Sequence, residues 1–176
     1  MFLFRLIAGI IGLIKTAKKA NKIRNMDKAD LLALDDDTFY DAIECVCRYA
    51  VCEIDDPNLA EEIRFTYSLY QFEMEVNNGG LCQFFVNSSS ECAPYISNAL
   101  EAIHATDLKA HFDDFIEKNN IDVKDLSSFK IDTVEEYEAQ TQRYDFDAFD
   151  NIFYEDENFH QLLIDYAREN VAQIVK

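Results

Sequence analysis

Tyr70-Gln-Phe-Glu-Met-Glu-Val-Asn-Asn-Gly-Gly-Leu-Cys-Gln-Phe-Phe-Val-Asn-Ser-Ser-Ser90 decides how this chain folds. Upstream of it, Leu59, Ile63, Tyr67, Tyr70 and Met74 recur at a helical period, so a helix with one buried stripe is expected to enter the stretch. Asn77-Asn78-Gly79-Gly80 then reads as a left-handed cap, because Gly and Asn adopt positive φ with little strain. After the cap, Phe84 and Phe85 read as packing residues of a second short helix, and Asn87 and Ser88 as the cap of the next element.

Working outward, the same grammar repeats. Asp35-Asp36-Asp37-Thr38 opens a helix with cap formers and acids facing its dipole, and Phe39, Ile43, Val46, Ala50 and Ile54 give its apolar face. Asp55-Asp56-Pro57 ends it, and Pro57 with Glu61 and Glu62 begins the next. Pro94 leads a short helix, and Thr106-Asp107 caps another that closes at Asn119-Asn120. Thr133 and Glu136 form a capping box. Phe146, Phe149 and Phe153 line a further face, and a final helix spans about 157–175. No run alternates like a strand. The expected fold is all-α: a compact single-domain bundle of about seven to nine helices over residues 29–176, preceded by a basic amphipathic arm over residues 1–28.

Composition bounds the rest. Fourteen Phe and nine Tyr supply a bulky core, so the high charge does not signal disorder. Four Gly and two Pro are too few for a turn-rich β protein. The five Cys form no CxxC pair. Cys45 and Cys52 share a helical face while Cys47 lies elsewhere, and His104, His111 and His160 have no ligand spacing. Free thiols in a reducing compartment, with no metal and no cofactor, are expected.

The charge is divided. Seven Lys/Arg stand against Asp27 alone in residues 1–28, whereas the rest carries nine basic residues against 33 acids. A body that acidic repels nucleic acid and invites basic proteins, so no direct nucleic-acid binding is expected. Residues 132–157 hold ten acids: Asp132, Glu135, Glu136, Glu138, Asp145, Asp147, Asp150, Glu155, Asp156 and Glu157, with Arg143 the one base. Asp35, Asp36 and Asp37, with Asp41, Glu44, Asp55, Asp56, Glu61 and Glu62, form a second cluster. On a helix, acids three or four apart sit about 5–6 Å from each other, comparable in order to phosphate spacing.

In the arm, Leu3, Leu6, Ile7, Ile10, Leu13 and Ile14 make an apolar stripe, and Lys15, Lys18, Lys19 and Lys22 a cationic one. Three readings stay open: contact of residues 2–24 with an anionic membrane surface, docking on the acidic body, and a short anchor. The expected location is cytoplasmic, peripheral to the inner membrane face if the arm binds lipid.

The central stretch also resembles the DNA-mimic protein family, whose members carry a helix ending in E-V-x-N-G-G followed by Q-F-F-x-N-S. Glu75, Val76, Asn78, Gly79, Gly80, Gln83, Phe84, Phe85, Asn87 and Ser88 match, while Leu81 stands where Phe is common and Ser90 where Gly is common. The resemblance covers roughly residues 35–170 and implies an acidic helical protein whose carboxylates imitate phosphates. Such a protein would occupy the DNA-binding face of a basic partner such as a helix-turn-helix regulator, in some cases as a homodimer. An immunity or adaptor protein for one dedicated basic partner is the alternative, as is a membrane-peripheral acidic protein. No catalytic arrangement is legible: Glu73 and Glu75 point to different sides of their helix, and the motif reads chiefly as structural.

Overall fold

The computed structural model describes residues 21–23, 25–54 and 58–175. The arm's stripe from Leu3 to Ile14, Lys15, Lys18 and Lys19, and the Asp55-Asp56-Pro57 breaker, lie outside them. From Lys28 onward the described residues form α1 (Lys28–Leu32), α2 (Asp36–Cys52), α3 (Glu61–Val86), a 3-10 turn (Ser88–Cys92), α4 (Ala93–Ala102), α5 (Thr106–Lys118), a second 3-10 turn (Ser127–Phe129), α6 (Val134–Thr141), α7 (Phe146–Glu155), α8 (Phe159–Glu169) and α9 (Val171–Ile174). No strand occurs among the described residues, and the all-α expectation holds.

α3 is the central helix, packed against α2, α4, α6, α7, α8 and α9. Its Phe72 is fully buried at the hub of the larger core, with ring centroids 5.1 Å from Phe84, 5.6 Å from Phe153 and 5.8 Å from Phe112, all edge-on. Edge-to-face geometry sets the electropositive rim of one ring against the face of the next. A smaller cluster joins Leu31, Phe39, Ile43 and Cys47 to Ile164, Val171 and Ile174, and Tyr40 and Tyr67 pack against both clusters. Ile23 and Met26, the described root of the arm, pack on the smaller cluster.

Centrality explains where the periodic reading of α3 fails. Met74, placed in the buried stripe, is 46% exposed, and the inner positions are Phe65, Leu69, Phe72 and Val76. A helix with neighbours on several sides buries more than one stripe, so single-face periodicity misleads.

Local capping agrees closely with the sequence at two sites. Asp35 accepts from the Thr38 backbone N–H (2.9 Å) and hydroxyl (3.0 Å), bonds that hold its carboxyl below the ordinary value. Thr133 and Glu136 make the reciprocal capping box of α6.

Elsewhere the boundaries differ. α2 ends at Cys52, leaving Ile54 46% exposed, and Cys47 is buried completely while Cys52 is exposed. Thr106 does not cap: Ala105 precedes α5, because the chain leaves α4 through His104 at φ 62°. There the Ala105 N–H reaches the Leu100 carbonyl (3.0 Å) and the His104 N–H that of Glu101 (3.0 Å), a Schellman closure repeated at Asn120 (φ 51°). The last helix breaks at Asn170, whose side-chain amide turns back to the Tyr166 carbonyl (2.9 Å).

Candidate interaction site

The Asn-Asn-Gly-Gly corner does not end its helix in the left-handed α region. Gly79 is extended (φ −166°), and Gly80 sits at φ 77°, ψ 179°, a region open essentially to Gly alone. The helix then resumes at once, so the corner is a break within α3, and it frees backbone groups from the helical ladder. Asp150 of α7 accepts from the Leu81 N–H (2.8 Å), and the Tyr154 hydroxyl, one turn on, donates to the Val76 carbonyl (2.8 Å). The acidic helix α7 is therefore seated on the break by its own side chains. A Cβ on Gly80 would lie 2.1 Å from Asp150 Oδ2, so this close approach requires Gly.

Three polar residues that follow the break converge on the carboxylate that precedes it. Glu75 is 8% exposed, and it accepts from Gln83 Nε2 (2.7 Å), Asn87 Nδ2 (2.8 Å) and Ser89 Oγ (3.1 Å). A buried carboxylate needs such donors to offset lost hydration. Asn87 thus serves Glu75 and makes no side-chain cap on the turn it precedes; Ser88 is exposed, and Ser89 supplies the hydroxyl. Phe84 and Phe85 are buried as expected. Asn78 and Gly79 are exposed.

Glu73 belongs to a different network. Tyr40 of α2 donates to its Oε2, and His160 Nδ1 of α8 lies 2.8 Å from its Oε1. Burial first, then the Glu73 carboxylate, push the Tyr40 phenol well above its ordinary value. No spacing rule links residues 87 positions apart, which is why this three-helix tie was not legible. Among the described residues no group of three or more His, Cys, Asp or Glu could hold a metal ion.

The acids of residues 132–157 divide by role. Asp132, Glu135, Glu138, Asp145, Asp147, Glu155 and Glu157 are exposed and bond through their carboxylates to no other described residue. Glu136 is turned back onto the Asp132 and Thr133 N–H groups (2.6 and 3.3 Å), and Asp156 onto the Asn158 N–H (2.8 Å). Asp150 is half-buried, and desolvation raises its carboxyl above 3.8 even though the Leu81 bond opposes this.

Arg143, the one base in this stretch, pairs with no acid among the described residues. It donates to the Ser128 carbonyl (3.0 Å) and lies over the Tyr144 ring (5.1 Å). In the second cluster Asp35 is spent as a cap and Asp36 on Arg168 (2.7 Å), while Asp37 is exposed. Among the described residues, exposed acids are therefore more numerous in residues 132–157 than in the second cluster, where Asp37, Asp41 and Glu61 remain.

No helix among the described residues is long and apolar enough to cross a membrane. No curated protein and no solved structure matches the chain. A family model does match, over residues 57–170, a span that holds the Gly80 break, the Glu75 cage and the whole α6–α7 face: the chain belongs to the DMP19-like protein family.

Proposed function

We propose that this chain is a protein-binding module that occupies the DNA-binding surface of a basic protein, its α6–α7 carboxylates standing in for phosphates. Membership of the DMP19-like family supports the reading, as does the motif's resemblance to DNA mimics. The observation that carries it is the seating of α7. Asp150 and Tyr154 fix the helix to the Gly80 break, so Asp145, Asp147, Glu155 and Glu157 are displayed from a held scaffold, while the exposed Arg143 bonds the Ser128 carbonyl. A rigid display lowers the ordering cost of association, and complementary charge speeds encounter. Exposed Tyr154 (52%) and Val134 (70%) offer apolar contact on the same two helices.

The test uses the full chain and purified helix-turn-helix proteins. Binding should weaken steeply with salt, duplex DNA should displace the chain, and Glu135→Gln/Glu138→Gln/Asp147→Asn/Glu157→Gln should lose affinity without losing fold. Salt-insensitive binding sinks the proposal. Salt-sensitive binding to a partner that duplex DNA does not displace replaces it with a dedicated-partner inhibitor.

A further inference from the structure

Seven of the chain's 16 basic residues fall within residues 1–28, and the α6–α7 face makes no use of them. On a helical wheel Lys15, Lys18, Lys19 and Lys22 share one side, and Leu3, Leu6, Ile7, Ile10, Leu13 and Ile14 share another. Arg5 and Lys15 bound the apolar run, so it falls well short of the roughly 20 residues that a membrane span needs. Apart from Lys22 these stripes lie outside the described residues, but the root that joins them to the body is described.

Residues 21–23 form a helical turn that closes where the Met26 N–H meets the Ile23 carbonyl (3.0 Å), and Ile23 and Met26 pack on the smaller core cluster. A wheel carried back from Ile23 at about 3.6 residues per turn sets the centre of the Leu/Ile stripe roughly 140° round from the side that meets the body. Arg5, Gly9, Gly12 and Thr16 fall on the body's side instead. The charge follows the same pattern. Lys22 is exposed and pairs with no acid among the described residues, although 33 acids follow residue 28, and the same holds for Lys28. An arm folded onto the acidic body would spend its lysines on those acids; at the root it does not.

We infer that residues 2–24 bind the surface of an anionic lipid bilayer as an amphipathic helix, the Leu/Ile stripe entering the headgroup region and the four lysines lying among lipid phosphates. Apolar burial supplies the depth of such a contact, and each lysine adds attraction to the negative surface. Nucleic acid, another polyanion that attracts lysine, offers no apolar layer for six aliphatic side chains. The acidic body is repelled by the same surface, so it stands off from the lipid while the arm holds it there.

Flotation of the full chain with vesicles of phosphatidylcholine, with and without phosphatidylglycerol, tests this. The chain should float with the mixed vesicles, stay behind with phosphatidylcholine alone, and be released by salt. Lys15→Gln/Lys18→Gln/Lys19→Gln should weaken binding about a hundredfold, and Leu6→Ser/Ile10→Ser/Leu13→Ser should abolish it. Lys118→Gln/Lys124→Gln/Lys130→Gln, which removes as much charge from the body, should leave it within a fewfold of the parent. Circular dichroism confirms that each variant is folded. The inference is overturned if the full chain does not float, if both vesicle types bind it equally, or if the arm variants float like the parent. It is equally overturned if, without vesicles, the lysine variant shifts NMR signals across the acidic body, which places the arm there, or if the apolar variant turns a dimer into a monomer, which places a second copy on the stripe.

Discussion

Replacing Gly80 by Ala tests the break on which α7 is seated. Two costs arise. The backbone at φ 77°, ψ 179° is strained for any residue with a Cβ, by about 1–3 kcal/mol. The new methyl would also stand 2.1 Å from Asp150 Oδ2, so the carboxylate must withdraw from the Leu81 N–H it now holds at 2.8 Å. Leaving that N–H without its partner costs about 1–3 kcal/mol more. The total is roughly 4 kcal/mol, or a fall in Tm of about 10 °C for a chain of this size. Urea denaturation monitored by circular dichroism reads it directly. A cycle with Asp150→Ala separates the terms: the lost N–H bond is common to both single variants, so the double variant should lose less than their sum, by about 1–3 kcal/mol. A loss below about 1 kcal/mol for Gly80→Ala, or strict additivity, would refute the reasoning.

Two further substitutions probe the same scaffold. Asp150→Asn keeps an oxygen for the Leu81 N–H but has no proton to release. Because burial raises the wild-type carboxyl above 3.8, the folded chain holds that proton more tightly than the unfolded one. The associated stability is full below 3.8 and is lost as pH climbs through the raised value, so the variant should gain on wild type from pH 3.8 upward. A pH-independent difference in urea midpoints contradicts this. Glu75→Gln places an amide where Gln83, Asn87 and Ser89 all donate, and the unmatched donors should cost about 2 kcal/mol in the same assay; a neutral result means the cage contributes nothing to stability.

The range of each interaction decides whether the sequence discloses it. Asp35 caps α2 and Thr133 boxes α6 because partner and cap lie three residues apart, where the helix itself dictates geometry. Chain spacing also drew attention to Gly79-Gly80, but not to its conformation, which depends on Asp150 arriving 69 residues later to take the Leu81 N–H. The division of the acids was hidden for the same reason. Asp147 and Asp150 look equivalent in sequence, yet one is exposed and the other half-buried against α3. Cys47 rather than Val46 occupies the inner face of α2 because the smaller cluster, built with α8 and α9, sets the angle of burial.

The charge that recommends this chain as a partner for basic proteins also works against its own folding, and the two effects respond to salt with opposite sign. Exposed acids such as Glu135 and Glu138, one turn apart on α6, repel each other over about 5–6 Å. At 0.1 M salt the screening length is about 10 Å and that repulsion persists; at 1 M it is about 3 Å and most of it is gone. Sodium chloride should therefore raise the urea midpoint of the chain while lowering its affinity for a basic partner. The quadruple neutral variant of the α6–α7 face should show both responses in reduced form, since it removes the charges that cause them. If the gain in stability survives in that variant while the loss of affinity disappears, the repulsion resides elsewhere, for example around Asp35–Asp37. If affinity and stability rise together with salt, the partner is held by apolar burial, and the carboxylates of α6 and α7 are only a solvated surface.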